Sequence, residues 1–356
     1  MPVLIWDFMK DRKKNRSSVI ISLTFFGIIF FYSQTNVLCQ SSRSNLFPVL
    51  FYNTENLFDC FDDTLKNDEE FLPESQRHWT FKRYNEKVNK MAKVILASNG
   101  WDLPVLVGLC EVENDAVLKR LVWETGLGEA GYRFIHHESP DKRGIDVALL
   151  YRKAMFRVLE DTAICVSDPG AGFFTRDILY VKGLMFDEDT LNVFVCHFPS
   201  NYGGELSSGK SRLKVAKKLH ELCDSIFCAD KKSKILIMGD MNEPPGSDAT
   251  GRVLKAGRKD SGMSFIDLSF DIVASRVKGT IKYHGQWSVF DRIIVSRSLI
   301  HEPFSVEGMY VVELSFLLEP DESYSGVKPF RTYSGPGYLG GFSDHLPVKA
   351  IIRKEE

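Results

Sequence analysis

The sequence predicts one α/β domain of layered sheets with flanking helices, on three observations. Short apolar runs recur at residues 46–52, 104–110, 146–151, 178–186, 191–198, 234–238, 291–295 and 346–352. Several of them are continuous rather than alternating, as in strands buried on both faces. Amphipathic stretches fall between the runs, and no repeat, Pro-rich linker or break in composition divides the chain.

Taken in order, the chain opens on a targeting segment. Lys10, Arg12, Lys13, Lys14 and Arg16 form a basic cluster, and residues 19–32 (VIISLTFFGIIFFY) follow without a charge. That run is too short to cross a ~30 Å hydrocarbon core as a helix. It reads as a secretory signal peptide over residues 1–39, with Met9 as a second candidate start. The alternatives are an uncleaved membrane anchor and lipidation at Cys39. Asn36-Val37-Leu38 lacks the small residue expected before a lipidated Cys. Residues 40–356 are then the folded domain, and the product is expected in the periplasm or outside the cell.

Within the domain, residues 46–52 read as the first strand and the polar, acidic stretch 59–77 as a loop. Residues 84–97 place Val88, Met91, Ala92 and Ile95 at helical spacing. Residues 207–227 do the same with Leu213, Ala216, Leu219, Leu222, Cys223 and Ile226, and residues 113–123 give a weaker third helix. The apolar segment 309–318 (MYVVELSFLL) is better explained as a buried strand than as a membrane-active hairpin.

Composition excludes several classes. The 356 residues hold 45 Lys+Arg and 47 Asp+Glu, a net charge of −2, and are 44% hydrophobic. Collagen, low-complexity disorder and a polytopic membrane protein are ruled out. Removing residues 1–39 takes away five basic and two acidic residues, leaving 40 against 45 and a net charge of −5. A protein gripping nucleic acid by bulk charge would be basic, so any such contact must be local or aided by cations. Six of the seven Cys remain and none forms C-x-x-C, which disfavours a zinc ribbon or thioredoxin-type motif. Cys110 and Cys196 lie inside apolar runs and should pack as small hydrophobes. An oxidising compartment permits disulfides among the others without specifying pairs.

Each apolar run stops at, or opens on, a polar residue of catalytic type: Asn53, Glu111, His197, Asp240 with Asn242, Asp291, and Asp344 with His345. Strand ends are where open sheets collect functional groups. Glu111, Asp240, Asp291 and Asp344 supply hard oxygen ligands, Asn53 and Asn242 neutral amides, and His197 and His345 proton-transfer groups. Oxygen-rich ligands suit Mg²⁺, Mn²⁺ or Ca²⁺ rather than zinc. A hard cation beside two His is the equipment for phosphoester hydrolysis. Blander readings stand beside these. Asp240 in GDMNEPP could be turn chemistry, His197 a satisfied core imidazole, and Asp291 one half of a surface ion pair with Arg292. His78, His136, His137, His220 and His301 read as structural or solvated.

Seven blocks then occur in order: YNTENLFD (52–59), LCEVEN (109–114), RGIDVALLYR (143–152), CHFPSN (196–201), IMGDMNEPP (237–245), FDRIIVS (290–296) and FSDHLPV (342–348). With them the sequence resembles the endonuclease/exonuclease/phosphatase superfamily, which includes deoxyribonuclease I, abasic-site exonucleases, bacterial sphingomyelinases and inositol-polyphosphate 5-phosphatases. The resemblance implies a four-layered α/β sandwich, with two mixed β-sheets packed face to face and helices outside. It implies Glu111 as the main metal ligand, with Asn53 beside it and Asp344 as a second metal-side carboxylate. Mg²⁺ is the implied cation, with Mn²⁺ or Ca²⁺ as alternatives. Asp240 and Asn242 would orient the attacking water and the phosphate, His345 and Asp291 would form a dyad, and His197 would be a second catalytic His. Arg176 and Asn201 fall at substrate-side positions.

The expected activity is an exported, metal-dependent phosphodiesterase, foremost a nuclease acting on DNA or RNA. The alternatives are a phosphomonoesterase or sphingomyelinase-like enzyme on a small or lipid-derived phosphoester. A non-catalytic binding protein on the same fold would have lost a ligand or dyad residue, and the sequence retains each one that matches. No stable protein partner is implied, and a monomer is expected.

Overall fold

A computed structural model describes residues 45–200, 205–272 and 277–355, which belong to one compact unit, Asn45–Glu356. The expected signal segment and residues 201–204, which include Asn201, lie outside the described residues. The first sheet runs β14 (Phe304–Val306), β20 (Val348–Lys354), β1 (Leu46–Leu57), β2 (Leu106–Val112), β4 (Asp146–Arg152), β3 (Tyr132–His136), with β15 (Tyr310–Val311) also on β20. The second runs β5 (Phe156–Ile164), β6 (Ile178–Met185), β7 (Asp189–His197), β8 (Lys234–Asp240), β13 (Asp291–Ser296), β10 (Phe265–Asp267), β9 (Ala256–Gly257). The remaining strands form the hairpins β11 (Ile281–Tyr283) with β12 (Gln286–Ser288), β16 (Leu318–Pro320) with β17 (Val327–Pro329), and β18 (Tyr333–Ser334) with β19 (Gly337–Tyr338). The helices are α1 (Phe81–Ala97), α2 (Asp115–Trp123), the short α3 (Gly126–Glu129) and α4 (Glu205–Ala229).

The period-two alternation of strand side chains sorts the core into layers. Phe47, Val49 and Phe51 of β1 meet Val193, Val195, Leu236, Met238, Ile293 and Val295 between the sheets. Leu50 and Tyr52 point the other way, onto Val88, Met91 and Ile95 of α1 and Leu118 and Leu121 of α2. In the second sheet Ile235 and Ile237 pack outward on Val215, Ala216, Leu219 and Cys223 of α4. The result is the expected helix–sheet–sheet–helix sandwich. Central strands therefore have no polar face, and each buried Val, Leu or Phe contributes about 1.5–3 kcal/mol. Gly108 leaves room for side chains between the sheets: a Cβ there would lie 3.0 Å from Phe51 Cδ2 and 3.3 Å from Met238 Cε.

All eight apolar runs contribute strands, with shifted ends. Helix α1 starts earlier than its apolar spacing because Thr80 caps it, accepting the Arg83 N–H, while Phe81 faces solvent. The edge strands β3 and β5 escape the apolar pattern. Arg157, Glu160 and Asp161 of β5 are exposed, as charged edges commonly are. Segment 309–318 is buried at Met309, Val311, Val312 and Leu317, but pairs as a strand over Tyr310–Val311 and at its last residue, Leu318 of β16. Cys110 and Cys196 are fully buried, and the six described cysteines are free. Among the described residues no helix is long and apolar enough to cross a membrane.

Candidate active site

Strand ends from both sheets and one loop build a single cluster. β7 pairs with β8, and β8 with β13, so His197 lies beside Asp240 and Asp240 beside Asp291 across three neighbouring strands. Gly239 permits this: a Cβ there would stand 2.5 Å from the Cys196 carbonyl oxygen. In the first sheet the two strands that reach the site are bulged. The β1–β2 register breaks between Asn53 and Leu57, and the β2–β4 register between Cys110 and Val112. Glu111 sits at the second break with φ +60°, a left-handed conformation that a residue with a Cβ keeps only when its surroundings impose it. The Thr54 hydroxyl clamps it, 2.9 Å from both the Cys110 and Glu111 carbonyl oxygens. The bulge re-aims the Glu111 side chain into the site. Ser343 Oγ donates to the Asn53 carbonyl at 2.8 Å and accepts the His345 N–H at 3.1 Å, which ties the FSDH loop to β1.

The groups converge on Asp240. Asn53 Nδ2 donates to Asp240 Oδ2 at 3.0 Å and lies 3.4 Å from Glu111 Oε1. His197 Nε2 is 3.8 Å from both of those carboxylate oxygens. His345 Nδ1 is hydrogen-bonded to Asp291 Oδ2 at 2.7 Å, and its Nε2 is 3.9 Å from Asp240 Oδ2. The turn reading of GDMN also holds, on the other oxygen: Asp240 Oδ1 accepts the Asn242 N–H at 2.9 Å. Asn242 Nδ2 in turn donates to the Phe198 carbonyl at 2.9 Å. Asn53, His197, Asp240, Asp291 and His345 are buried, and the Glu111 side chain is 16% exposed. The surface ion pair between Asp291 and Arg292 does not form. Adjacent strand residues face opposite ways, and Arg292 is buried against Asp267 at 2.8 Å and Thr250 at 3.0 Å.

Burial and neighbouring charge set the protonation states. Burial pushes Asp240 up to about 6, against the pull of His345 and with Asp291 adding to the rise. Burial, then Arg176, Arg143 and His345, hold His197 well below its ordinary value, so its ring is neutral at pH 7. Burial would depress His345 too, but Asp291, Asp240 and Asp344 outweigh it and carry it well above the usual range. It is an imidazolium at neutral pH.

Two expected residues sit at the margin. Arg176 is buried, with Nη1 on Asp141 Oδ2 at 3.0 Å and Nη2 donating to the Phe198 carbonyl at 2.9 Å. Asp344 accepts from Arg331 Nη2 at 3.1 Å, and Arg331 Nε also meets Glu55 at 3.3 Å. Asn201 lies outside the described residues. Sequence reasoning missed Asp141, Glu55, Thr54, Arg331 and Ser343. Thr54, Glu55 and Ser343 lie inside the quoted blocks, where the polar neighbours of Asn53 and His345 were the available signal.

The cluster is short of positive charge. Glu111, Asp240 and Asp291 face one imidazolium, and Asp291 Oδ1 and His197 Nδ1 are buried without a hydrogen-bond partner. Ligand atoms of Asp240, Asp291 and His345 all lie within 4.8 Å of one another. This oxygen-rich set fits a hard divalent cation.

Comparison with known proteins agrees. The model of the endonuclease/exonuclease/phosphatase family matches residues 48–354. No curated protein matches the sequence significantly. Similar solved structures include an endonuclease/exonuclease/phosphatase family protein from Bacteroides thetaiotaomicron, 17% identical, covering 87% of this chain and 99% of its own, with a TM-score of 0.57. A D. rerio TDP2 complexed with single-strand DNA product is 16% identical, covering 87% and 99%, TM-score 0.52. A mannosyl-6-phosphatase of B. thetaiotaomicron is 17% identical, covering 86% and 99%, TM-score 0.53.

Proposed function

This chain belongs to the endonuclease/exonuclease/phosphatase family, whose members are divalent-metal-dependent hydrolases of phosphoester bonds, and from that premise we propose that it is a phosphodiesterase, foremost a nuclease, exported by its N-terminal segment. The observation that carries the site is the convergence of Asn53, His197 and His345 on Asp240 beside Glu111.

Each residue's part follows from its protonation state. Glu111 would hold the cation, with Asn53 and Asp344 beside it. Mg²⁺ is the first choice and Mn²⁺ or Ca²⁺ the alternatives. When bound, the cation neutralises phosphate charge. Asp240, ionised above about pH 6, takes the proton of the attacking water, which Asn242 helps to place. His345, kept cationic and oriented by Asp291, faces the negative charge that builds on phosphorus. His197, neutral, offers a ring N–H to the leaving oxygen.

A cleft of about 340 Å³ supports the diester reading. Lys142, Arg143, Phe173, Phe174 and Ser200 line it, and Lys142 lies 4.5 Å over the Phe174 ring. Cations and rings there suit the second substituent of a phosphodiester. The second reading, a phosphomonoesterase, is favoured by the acidic net charge and by the mannosyl-6-phosphatase among the similar structures.

The test compares bis-p-nitrophenyl phosphate, p-nitrophenyl phosphate and plasmid DNA, with Mg²⁺ or with EDTA. Diester and DNA cleavage lost in EDTA is expected. Turnover of the monoester alone would replace the first reading by the second. For export, a mature N-terminus near residue 40 in the secreted fraction is expected, and an intact N-terminus retained in the cell would overturn it.

A further inference from the structure

A second cluster of metal-ligating type lies at the connected end of the β3–β4 pair and shares no residue with the active site. His136 ends β3, Asp146 opens β4, and Glu138 lies on the connection between them. Ligand atoms of these three residues lie within 4.8 Å of one another. The His136 and Asp146 side chains are each 1% exposed, whereas Glu138 reaches solvent.

The partner Asp146 has is the His136 ring, which burial would depress but which Asp146 and Asp115 carry above its ordinary value. Both Asp146 oxygens and His136 Nε2 are buried with no hydrogen bond. A buried carboxylate whose facing ring stands at the limit of hydrogen-bond distance is costly. His136 Nε2 and Asp146 Oδ2 are 3.5 Å apart, which is long for a hydrogen bond. Two ligands bound tetrahedrally at roughly 2.1 Å would stand about 3.4 Å apart. The far side of the ring is already fixed, with His136 Nδ1 bonded to Asp115 Oδ1 at 3.0 Å. An outer carboxylate on one nitrogen sets the tautomer that leaves the other free for a metal.

We propose that His136, Glu138 and Asp146 form a second metal site that takes a divalent transition ion of the Zn²⁺ class, with Asp115 orienting the imidazole. One imidazole with two carboxylates suits Zn²⁺, in contrast to the oxygen-rich active centre. The ion would clip β3 to β4 and, through Asp115, to the start of α2.

The test is Zn²⁺ titration by calorimetry and elemental analysis on chelator-stripped full chain carrying Glu111→Gln and Asp240→Asn, which silences the active centre. One Zn²⁺ per chain and a Zn²⁺-dependent rise in Tm are expected. Adding Asp146→Asn or Glu138→Gln should weaken binding at least tenfold and remove the Tm rise. Asp115→Asn should weaken it about tenfold. Absence of Zn²⁺ from the silenced protein overturns the proposal, as does unchanged affinity in Glu138→Gln. Glu138 is exposed, so that variant decides the matter if Asp146→Asn fails to fold.

Discussion

Two buried imidazoles face the same carboxylate and are held in opposite states. His345 has Asp291 at 2.7 Å on its Nδ1 and is kept charged. His197 has no partner on its Nδ1, has Arg176 and Arg143 among its neighbours, and is kept neutral. Burial depresses both rings, so the difference comes from the neighbours alone. The β7–β8–β13 register thus sets His197, Asp240 and Asp291 side by side, and the FSDH loop brings the cationic His345 to the same base.

The largest expected effect comes from removing what the two rings share. Asp240→Asn should lower kcat/KM by about 10³–10⁴-fold with the fold retained by circular dichroism, and near-native activity would break the site assignment. Next is Asp291→Asn, which should turn His345 into a second His197. Its pKa should fall, and the loss of a buried pair should cost about 3–5 kcal/mol. The sign is definite. A raised folded pKa gives stability that is fully present below about pH 6.5, the unfolded value, and is lost as pH rises through the folded value. Urea unfolding should therefore show the wild-type advantage at pH 6 shrinking toward pH 9.

His197→Ala should lower kcat by about 10²-fold while metal affinity barely moves. A loss of affinity with kcat intact would move His197 from the leaving group to the cation. Arg331→Ala removes a 43% exposed guanidinium from Asp344 and Glu55. It should change stability by no more than about 1 kcal/mol, and a larger loss in urea titration would show that the margin is more than a surface contact.

The contrast between rings was half legible in the sequence. Strand ends announced the polar residues because central strands have no polar face of their own, so Asn53, His197 and Asp240 stood out against apolar runs. The bulge at Glu111 was not legible, since φ +60° follows from Thr54 and pairing across three strands. Nor was the pairing of Arg176 with Asp141 or of Asp344 with Arg331, which depends on loops folding back. His136 read as structural or solvated because its partner Asp115 lies on another element. The edge strands β3 and β5 were hidden because their outward faces are polar.

The central claim is most directly tested by ¹⁵N imidazole spectra of the metal-free protein at pH 7, with His197→Asn and His345→Asn used for assignment. His345 should carry protons on both nitrogens and His197 on one. A neutral His345, or a cationic His197, would contradict the division of labour proposed for this site.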